Sequence, residues 1–452
     1  MDARPYHTYS NQRLMIPTHA IAFIAVLWAA PALHAERAFG FGSNSRGGEG
    51  GDVLTVNRLD DEVRQPKPGM LRWALNQPGP RIIRFSIAGT ISLKDRIVVR
   101  QGRVTVDGST APGLGICVRG GSLEFDGCSD IILRGLRVRL GDETTLDRNR
   151  REKRKRPQNS SGLDCIGLHE CRRVLLDHLS LSWSCDELLS VVRCQDVTVQ
   201  WCLFAEPLSN WKLHPYGDNH AFALNASAST LTVYRCLFAH YIMRGPQFEA
   251  NDMRKGDRWG VKMEAIGNVM FDYQRSGSRY TAGVEDHKSD AVGKTFQFQF
   301  IANEYIAGDP SQNRPIEIIL KHGTAANVRA GVADNGSAVL GGLTPAPLLC
   351  LTEDGHRLEE AASSVRAQIH EGRLFSSPNA PPTTRAFADW QRFLATVGCS
   401  HARDAADARI IEETAKHRNR DPLSSQDKVG GWPDLDGKDR ATWDAARRLL
   451  VR

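Results

Sequence analysis

A short motif occurs four times in the middle of the chain and restricts the possible folds more than any other feature. The copies begin at Cys128, Cys171, Cys194 and Ala228 and align without gaps. In each copy apolar residues alternate, change phase once and alternate again, which is typical of strands and not of helices. The starts are 43, 23 and 34 residues apart, so a unit of about 23 residues carries insertions of different length.

Four columns of the alignment hold residues of one class in every copy. They are Ile131, Val174, Val197 and Leu231; Leu133, Leu176, Val199 and Val233; Leu136, Leu179, Cys202 and Cys236; and Val138, Leu181, Phe204 and Phe238. A register that survives loop insertions is typical of a solenoid. We therefore predict an all-β fold, a right-handed parallel β-helix. The alternative, an antiparallel sandwich, gives no reason for the same residue classes to return in four columns.

The amino terminus has the pattern of an export signal. A polar leader precedes Ala20–Ala35, an apolar run that ends in small residues. Pro31 and His34 interrupt this run before it reaches the roughly 20 residues that a membrane-spanning helix needs. We predict a signal peptide over residues 1–35, secretion to the extracellular space or periplasm, and no membrane span.

The rest of the chain divides at the point where the repeat fades. We predict a β-helix domain over residues 36–325 and a carboxy-terminal extension over 326–452 that packs on or caps it, with short helices near Phe387–Val397 and Ala405–Ala415. The sequence pattern does not indicate a second subunit, and we expect a monomer. The ten cysteines allow disulfides in an oxidising compartment, but those that begin repeats suit a stack of small buried residues equally well.

The positive charge of the chain is local. The formal charge is +6, and Asp147–Arg156, with seven basic and two acidic residues, supplies +5 of it. A uniformly basic surface for nucleic acid is therefore excluded, and we expect no nucleic-acid partner. The basic run lies in the insertion that lengthens one repeat to 43 residues. It is interpreted either as a solvated disordered loop or as a surface that attracts a polyanionic substrate.

Six motifs follow one another in the order found in polysaccharide lyase family 1, the pectate lyases, which the chain resembles from about Phe39 to Leu435. They are RGGEGGDV from Arg46, PGMLRWAL from Pro68, VDGSTAPG from Val106, DHLSLSWSCDE from Asp177, RGP from Arg244 and VGGWPDL from Val429. The resemblance implies a secreted enzyme with a β-helix fold that cleaves polygalacturonate, an acidic polysaccharide, by β-elimination. It also implies bound Ca²⁺ as cofactor and an arginine as base.

The resemblance assigns roles residue by residue. Asp164 and Asp186 match calcium ligands, Glu187 adjoins the second of them, and Arg244 matches the base. A calcium ion bound by carboxylates would neutralise the substrate carboxylate and acidify the neighbouring carbon-bound proton. Guanidinium also suits a bidentate clamp on a carboxylate, so the clamp stays an alternative role for Arg244.

Two further residues are candidates for binding the substrate carboxylate. His220 falls where the family often has a lysine, and Lys212 is the other candidate cation in that part of the sequence. A histidine bonded to the backbone or buried in the core is the alternative interpretation of His220.

Three positions depart from the family pattern. Gly162 and Ser190 stand where aspartates are common, and Glu249 stands where an arginine is common. Two other functions therefore stay open. One is a non-catalytic β-helix that binds polysaccharide, and the other is a β-helix glycoside hydrolase that uses a pair of carboxylic acids.

Overall fold

The computed structural model describes residues 37–217, 220–250, 260–281, 295–308, 314–320, 328–340, 348–353, 356–357 and 369–435. The predicted signal peptide lies outside these residues. Within them, no helix is long and apolar enough to cross a membrane.

Three sheets of stacked strands form the body of the described chain, and they confirm the predicted parallel β-helix. Sheet 1 contains Asp52–Val56, Arg81–Phe85, Val104–Asp107, Ser129–Arg134, Arg172–Asp177, Gln195–Gln200, Thr230–Tyr234, Val261–Ile266, Phe296–Ile301, Val328–Ala333 and Ile369–Glu371. Sheet 2 contains Ile97–Val99, Leu123–Asp126, Ile166–His169, Glu187–Val192, Phe222–Ser227, Gln247–Glu249, Ser276–Thr281, Arg314–Leu320, Leu349–Glu353 and His356–Arg357. Sheet 3 contains Gly89–Ser92, Ile116–Arg119, Arg137–Arg139, Ser180–Ser182, Leu203–Ala205, Leu237–Tyr241, Val269–Tyr273, Glu304–Ala307 and Gly336–Val339.

The chain passes through the three sheets in turn, so each coil adds one strand to each sheet. Neighbouring strands are parallel, except that His356–Arg357 pairs antiparallel with Leu349–Glu353. The sheets continue through Ile369–Glu371, well beyond position 325, and the division into domains stays a prediction.

The repeat columns are ladders of paired residues. In sheet 1, Ile131 pairs with Val174, which pairs with Val197, which pairs with Leu231. The Val138 column pairs in the same way in sheet 3, where the rings of Phe204 and Phe238 stack 4.8 Å apart. These side chains are buried because alternate residues of a strand point to one face, which here is the interior of the coil.

Polar ladders satisfy the backbone where the coil turns between sheets 1 and 3. The backbone N–H of Cys202 donates to the sulfur of Cys236, whose own N–H donates to Asn268 Oδ1 at 2.8 Å. Asn268 continues the ladder, because its side-chain Nδ2 donates a hydrogen bond to Asn303 Oδ1 at 3.0 Å. A second stack of thiols, which includes Cys171 and Cys194, is likewise buried and not disulfide-bonded. Of the two interpretations of the cysteines, the structure supports the stack.

The carboxy-terminal segment packs along sheet 3. Its helices are Trp390–Thr396, which lies within the predicted range Phe387–Val397, and Ala405–Ala415, which has the predicted bounds. Two short helices occur earlier, Leu71–Leu75 and Glu143–Arg151. Arg139 of sheet 3 donates to Asp404 Oδ1 at 2.9 Å and to Asp407 Oδ1 at 2.7 Å, and all three side chains are fully buried.

The basic insertion is folded. Its first part is the helix Glu143–Arg151, where the sequence also allowed a disordered loop. Buried Asn149 donates to the Lys212 carbonyl at 3.1 Å, and a methyl group on Gly217 would lie 1.8 Å from the Arg156 guanidinium. The insertion therefore packs against the loop that contains Lys212 and Gly217.

Candidate catalytic and metal site

The predicted site residues lie where consecutive coils enter sheet 2. Asp164 precedes Ile166–His169 by two residues, and Glu187 begins the strand Glu187–Val192. His220 and Arg244 precede the next two strands by two and three residues. Because Ile166 pairs with Leu189 and Leu189 with Leu224, these entry points are stacked on successive coils. Residues far apart in the sequence thus form one row on the surface of the β-helix.

Three carboxylates of this row form a cluster. One oxygen from each of Asp164, Asp186 and Glu187 lies within 4.8 Å of the others. The backbone N–H of Glu187 donates to Asp164 Oδ1 at 3.0 Å. Successive residues of a strand point to opposite faces, but Asp186 lies in a bend just before the strand, which lets both acids face the same point.

The carboxylates of the cluster repel one another. Burial, together with the negative charges of Asp186 and Glu187, raises the pKa of Asp164 well above its usual value. Burial and Asp186 raise the pKa of Glu187 to about 8, against the lowering effect of Arg244. A cluster of this kind is stabilised by a cation, because desolvated carboxylates must otherwise bind protons.

Arg244 faces the cluster from a coil further along. It donates a hydrogen bond to Glu187 Oε1, and its guanidinium carbon lies 4.3 Å from the centre of the Phe222 ring. The Arg244 side chain is 22% exposed, so it reaches solvent while its position is fixed on two sides. Its φ of 69° is in the left-handed region, at the turn before the next strand.

Of the two candidate residues for binding the substrate carboxylate, only His220 lies close to the carboxylate cluster. His220 joins the cluster, with its Nε2 3.7 Å from Asp186 Oδ1. Lys212 is exposed, and its Nζ lies 5.7 Å from the centre of the Trp211 ring. No carboxylate among the described residues is within ion-pair distance of Lys212.

His214 belongs to the site but was not predicted. Its Nε2 lies 3.3 Å from Asp186 Oδ2, and its ring stacks on that of His220 with centres 3.4 Å apart. It comes from the insertion between Leu203–Ala205 and Phe222–Ser227 and is buried. The available signal was a second histidine six residues before His220 in the same insertion.

A partly buried arginine, Arg279, lies near Glu249 on the following coil. Gln247 pairs with Arg279, whose guanidinium interacts with Arg244 and Glu249 and lies 3.0 Å from Glu317 Oε2. Burial lowers the pKa of Arg279, although the Glu317 carboxylate opposes the shift. Arg279 thus lies near Arg244, with its charge paired to Glu317.

Asp164, Asp186 and Glu187 fit a hard divalent cation. They supply only oxygen donors, they are close together, and burial makes their mutual repulsion costly. A cavity of about 290 Å³ is lined in part by Arg96, Arg148 and Gly162, and none of the three carboxylates lines it.

Comparison with known proteins agrees with the motifs. No protein-family model matches the chain. A protein of Emericella nidulans named "Probable pectate lyase C" is 28% identical over 436 residues, 95% of this chain and 87% of that protein. A protein of Aspergillus flavus with the same name is 32% identical over 270 residues, 60% of this chain and 53% of that protein. The crystal structure of jun a 1, an allergen from cedar pollen, covers 80% of this chain and 92% of its own, with 19% identity and a TM-score of 0.48. The resemblance to pectate lyases that the sequence motifs indicate is thus confirmed by the sequence relatives.

Proposed function

We propose that this chain is a secreted polysaccharide lyase of pectate lyase type, which cleaves polygalacturonate by calcium-assisted β-elimination. The observation that carries the proposal is the row formed by Asp164, Asp186, Glu187 and Arg244 at the entries to sheet 2. Acid ligands and a cationic side chain on one face are what the reaction requires. The similarity to proteins named pectate lyase supports the same substrate class.

The reaction removes a proton from the carbon next to a uronate carboxylate and expels the glycosidic oxygen. Ca²⁺ bound by the three carboxylates would supply positive charge to the substrate carboxylate. Arg244 would take the proton in its neutral guanidine form, because a guanidinium ion has no lone pair to accept one, while Glu187 and Phe222 fix its position beside the cluster.

The surroundings favour an anionic polymer. The basic insertion borders the site through its contacts with the Lys212 loop, and the cavity beside Gly162 contains Arg96 and Arg148. Electrostatic attraction by such a surface raises the rate of encounter with a polyanion.

The experiment incubates the purified protein with polygalacturonate in calcium or in chelator and follows both near-ultraviolet absorbance and reducing ends. A lyase raises both signals, because elimination leaves a conjugated double bond. We expect Arg244→Ala to abolish the product, whereas Arg84→Lys, on the exposed part of sheet 1, leaves the rate unchanged. Arg244→Lys distinguishes base from clamp, since a lysine retains the charge but loses the bidentate geometry.

Other outcomes identify the other candidate functions. Reducing ends without absorbance would identify a hydrolase and refute elimination. Neither signal with any of several uronate polymers, combined with binding to them, would identify a non-catalytic module. An absorbance signal that is the same in chelator would refute the calcium requirement alone.

A further inference from the structure

A turn beside the carboxylate cluster presents two aromatic rings to solvent. Trp211 is 45% exposed and Tyr216 is 79% exposed. The other exposed large apolar side chains of the described residues, Val53, Val63 and Phe387, lie elsewhere in the sequence. Single exposed apolar residues are normal on a protein surface, but two large rings on one short turn indicate a binding surface.

The turn is held on both sides, so the two rings stand on a fixed backbone. The backbone N–H of Ser209 donates to the carbonyl of Leu423, in the carboxy-terminal segment, at 2.6 Å. Asn149 of the basic insertion donates to the Lys212 carbonyl at 3.1 Å, and Leu213 is buried beneath the turn. A ligand that binds to such a turn does not have to order it, which lowers the cost of binding.

One side chain separates Tyr216 from the carboxylate cluster. The centre of its ring lies 4.9 Å from that of the His214 ring, and His214 Nε2 lies 3.3 Å from Asp186 Oδ2. The turn therefore borders the place of the proposed reaction. A polymer chain bound at the cluster can extend over the exposed rings.

The same turn carries a positive charge. Lys212 is exposed, and its Nζ lies 5.7 Å from the centre of the Trp211 ring. An ammonium group and an aromatic face are thus offered to a ligand at a short distance from each other. The guanidinium of Arg156 approaches the end of the turn at Gly217, which adds a second cationic side chain.

A uronic acid residue has the matching chemistry. One face of its pyranose ring presents C–H groups, which are attracted to the electron-rich face of an aromatic ring. Its carboxylate projects from the edge of the ring and is a partner for an ammonium group. A neutral sugar would make no use of the Lys212 charge, and a small inorganic anion would make no use of the rings. The combination favours an acidic sugar.

We propose that Trp211, Lys212 and Tyr216 form a subsite that binds one uronic acid residue of the polymer outside the carboxylate cluster. The two rings contact the face of the sugar, and Lys212 binds its carboxylate. The inference rests on the proposed function for the class of polymer. The three residues position the chain and take no part in the proton transfer, so they affect substrate binding and not the chemical step.

The test measures the dissociation constant of hexagalacturonate in calcium, with every variant made in the Arg244→Ala background so that the ligand is not cleaved. Trp211→Ala and Tyr216→Ala should each weaken binding about three- to tenfold, the range expected for one aromatic contact. Tyr216→Phe should keep the affinity, because it keeps the ring. Lys212→Gln should weaken binding at low salt and not at high salt, since salt screens an exposed charge but not a ring contact.

Phe387→Ala is the matched control. Phe387 is an exposed ring of the carboxy-terminal segment that packs on Trp390, and its removal should leave the dissociation constant unchanged. The thermal unfolding midpoint of each variant verifies that it is folded. Unchanged affinity in folded Trp211→Ala and Tyr216→Ala proteins would overturn the proposal, as would the absence of any binding of the hexamer.

Two further outcomes separate this proposal from its neighbours. Self-association of the protein that Trp211→Ala abolishes would assign the rings to a second copy of the chain and overturn the subsite. Elimination is measured separately on the protein with Arg244 intact. Unchanged affinity together with elimination would refute the subsite alone, whereas weakened binding in the variants without any elimination would refute the lyase function alone.

Discussion

A buried histidine, His240, lies between the β-helix and a carboxy-terminal helix. We expect it to make the stability of the fold fall as the pH rises into the alkaline range. His240 Nδ1 lies 2.6 Å from Asp272 Oδ2, and its Nε2 lies 3.3 Å from Glu413 Oε2. Burial alone would lower the pKa of His240, but the hydrogen bonds to these two acids outweigh it and raise the pKa to about 9. Glu413 belongs to the helix Ala405–Ala415, so the protonated histidine joins this helix to the body of the protein.

The magnitude follows from the shift. A pKa raised from 6.5 to about 9 corresponds to about 3 kcal/mol of unfolding free energy at about 1.4 kcal/mol per pKa unit. Because the folded pKa is the higher one, this contribution is complete below about pH 6.5 and is lost as the pH rises through about 9. Glu413 has the opposite sign: burial opposes the shift, but His240 and Arg420 lower its pKa to about 2, so its contribution is lost only in acid.

The assay is urea unfolding followed by tryptophan fluorescence between pH 6 and pH 10. We expect the stability difference between the unaltered protein and His240→Gln to shrink by about 3 kcal/mol over this range. His417→Gln is the control, since burial lowers the pKa of His417 from 6.5, so its contribution to stability changes only below about pH 6.5 and not as the pH rises through 9. A difference for His240→Gln that stays constant between pH 6 and pH 10 would refute the reasoning.

Three other changes test the remaining parts of the structure. Asp404→Asn should destabilise the fold by about 3–5 kcal/mol in urea unfolding, because it leaves buried Arg137 and Arg139 to share the single carboxylate of Asp407. Glu412→Gln, in a partly exposed pair with Lys416, should cost less than about 0.5 kcal/mol. Replacing Arg150 and Arg151 by glutamine should raise KM for polygalacturonate at low salt and not at high salt, as a steering surface requires; an equal change at both would contradict it. Tyr216→Ala should raise KM severalfold with little change in kcat, because Tyr216 is 79% exposed beside the site and offers a ring for sugar stacking; an unchanged KM would remove it from the substrate path.

The sequence by itself determined the parallel β-helix and the pairing of its strands. Residues matched in the alignment, such as Ile131 and Val174, are paired across neighbouring strands, since a one-residue slip would turn every apolar side chain outward. Asp164, Glu187, His220 and Arg244 lie on four successive coils, because each stands at or just before the start of a strand of the same sheet. The repeat therefore carried the fold, whereas the candidate site residues came from the resemblance to pectate lyases.

The tertiary structure alone decided what lies between the strands. His214 and the basic helix Glu143–Arg151 come from insertions of unequal length, which have no register to reveal where their side chains go. The ion pairs of Arg139 with Asp404 join residues 265 positions apart, a contact that no local pattern encodes. Strand pairing repeats and can be read from periodicity, whereas each loop and helix contact occurs once and depends on how the whole chain packs.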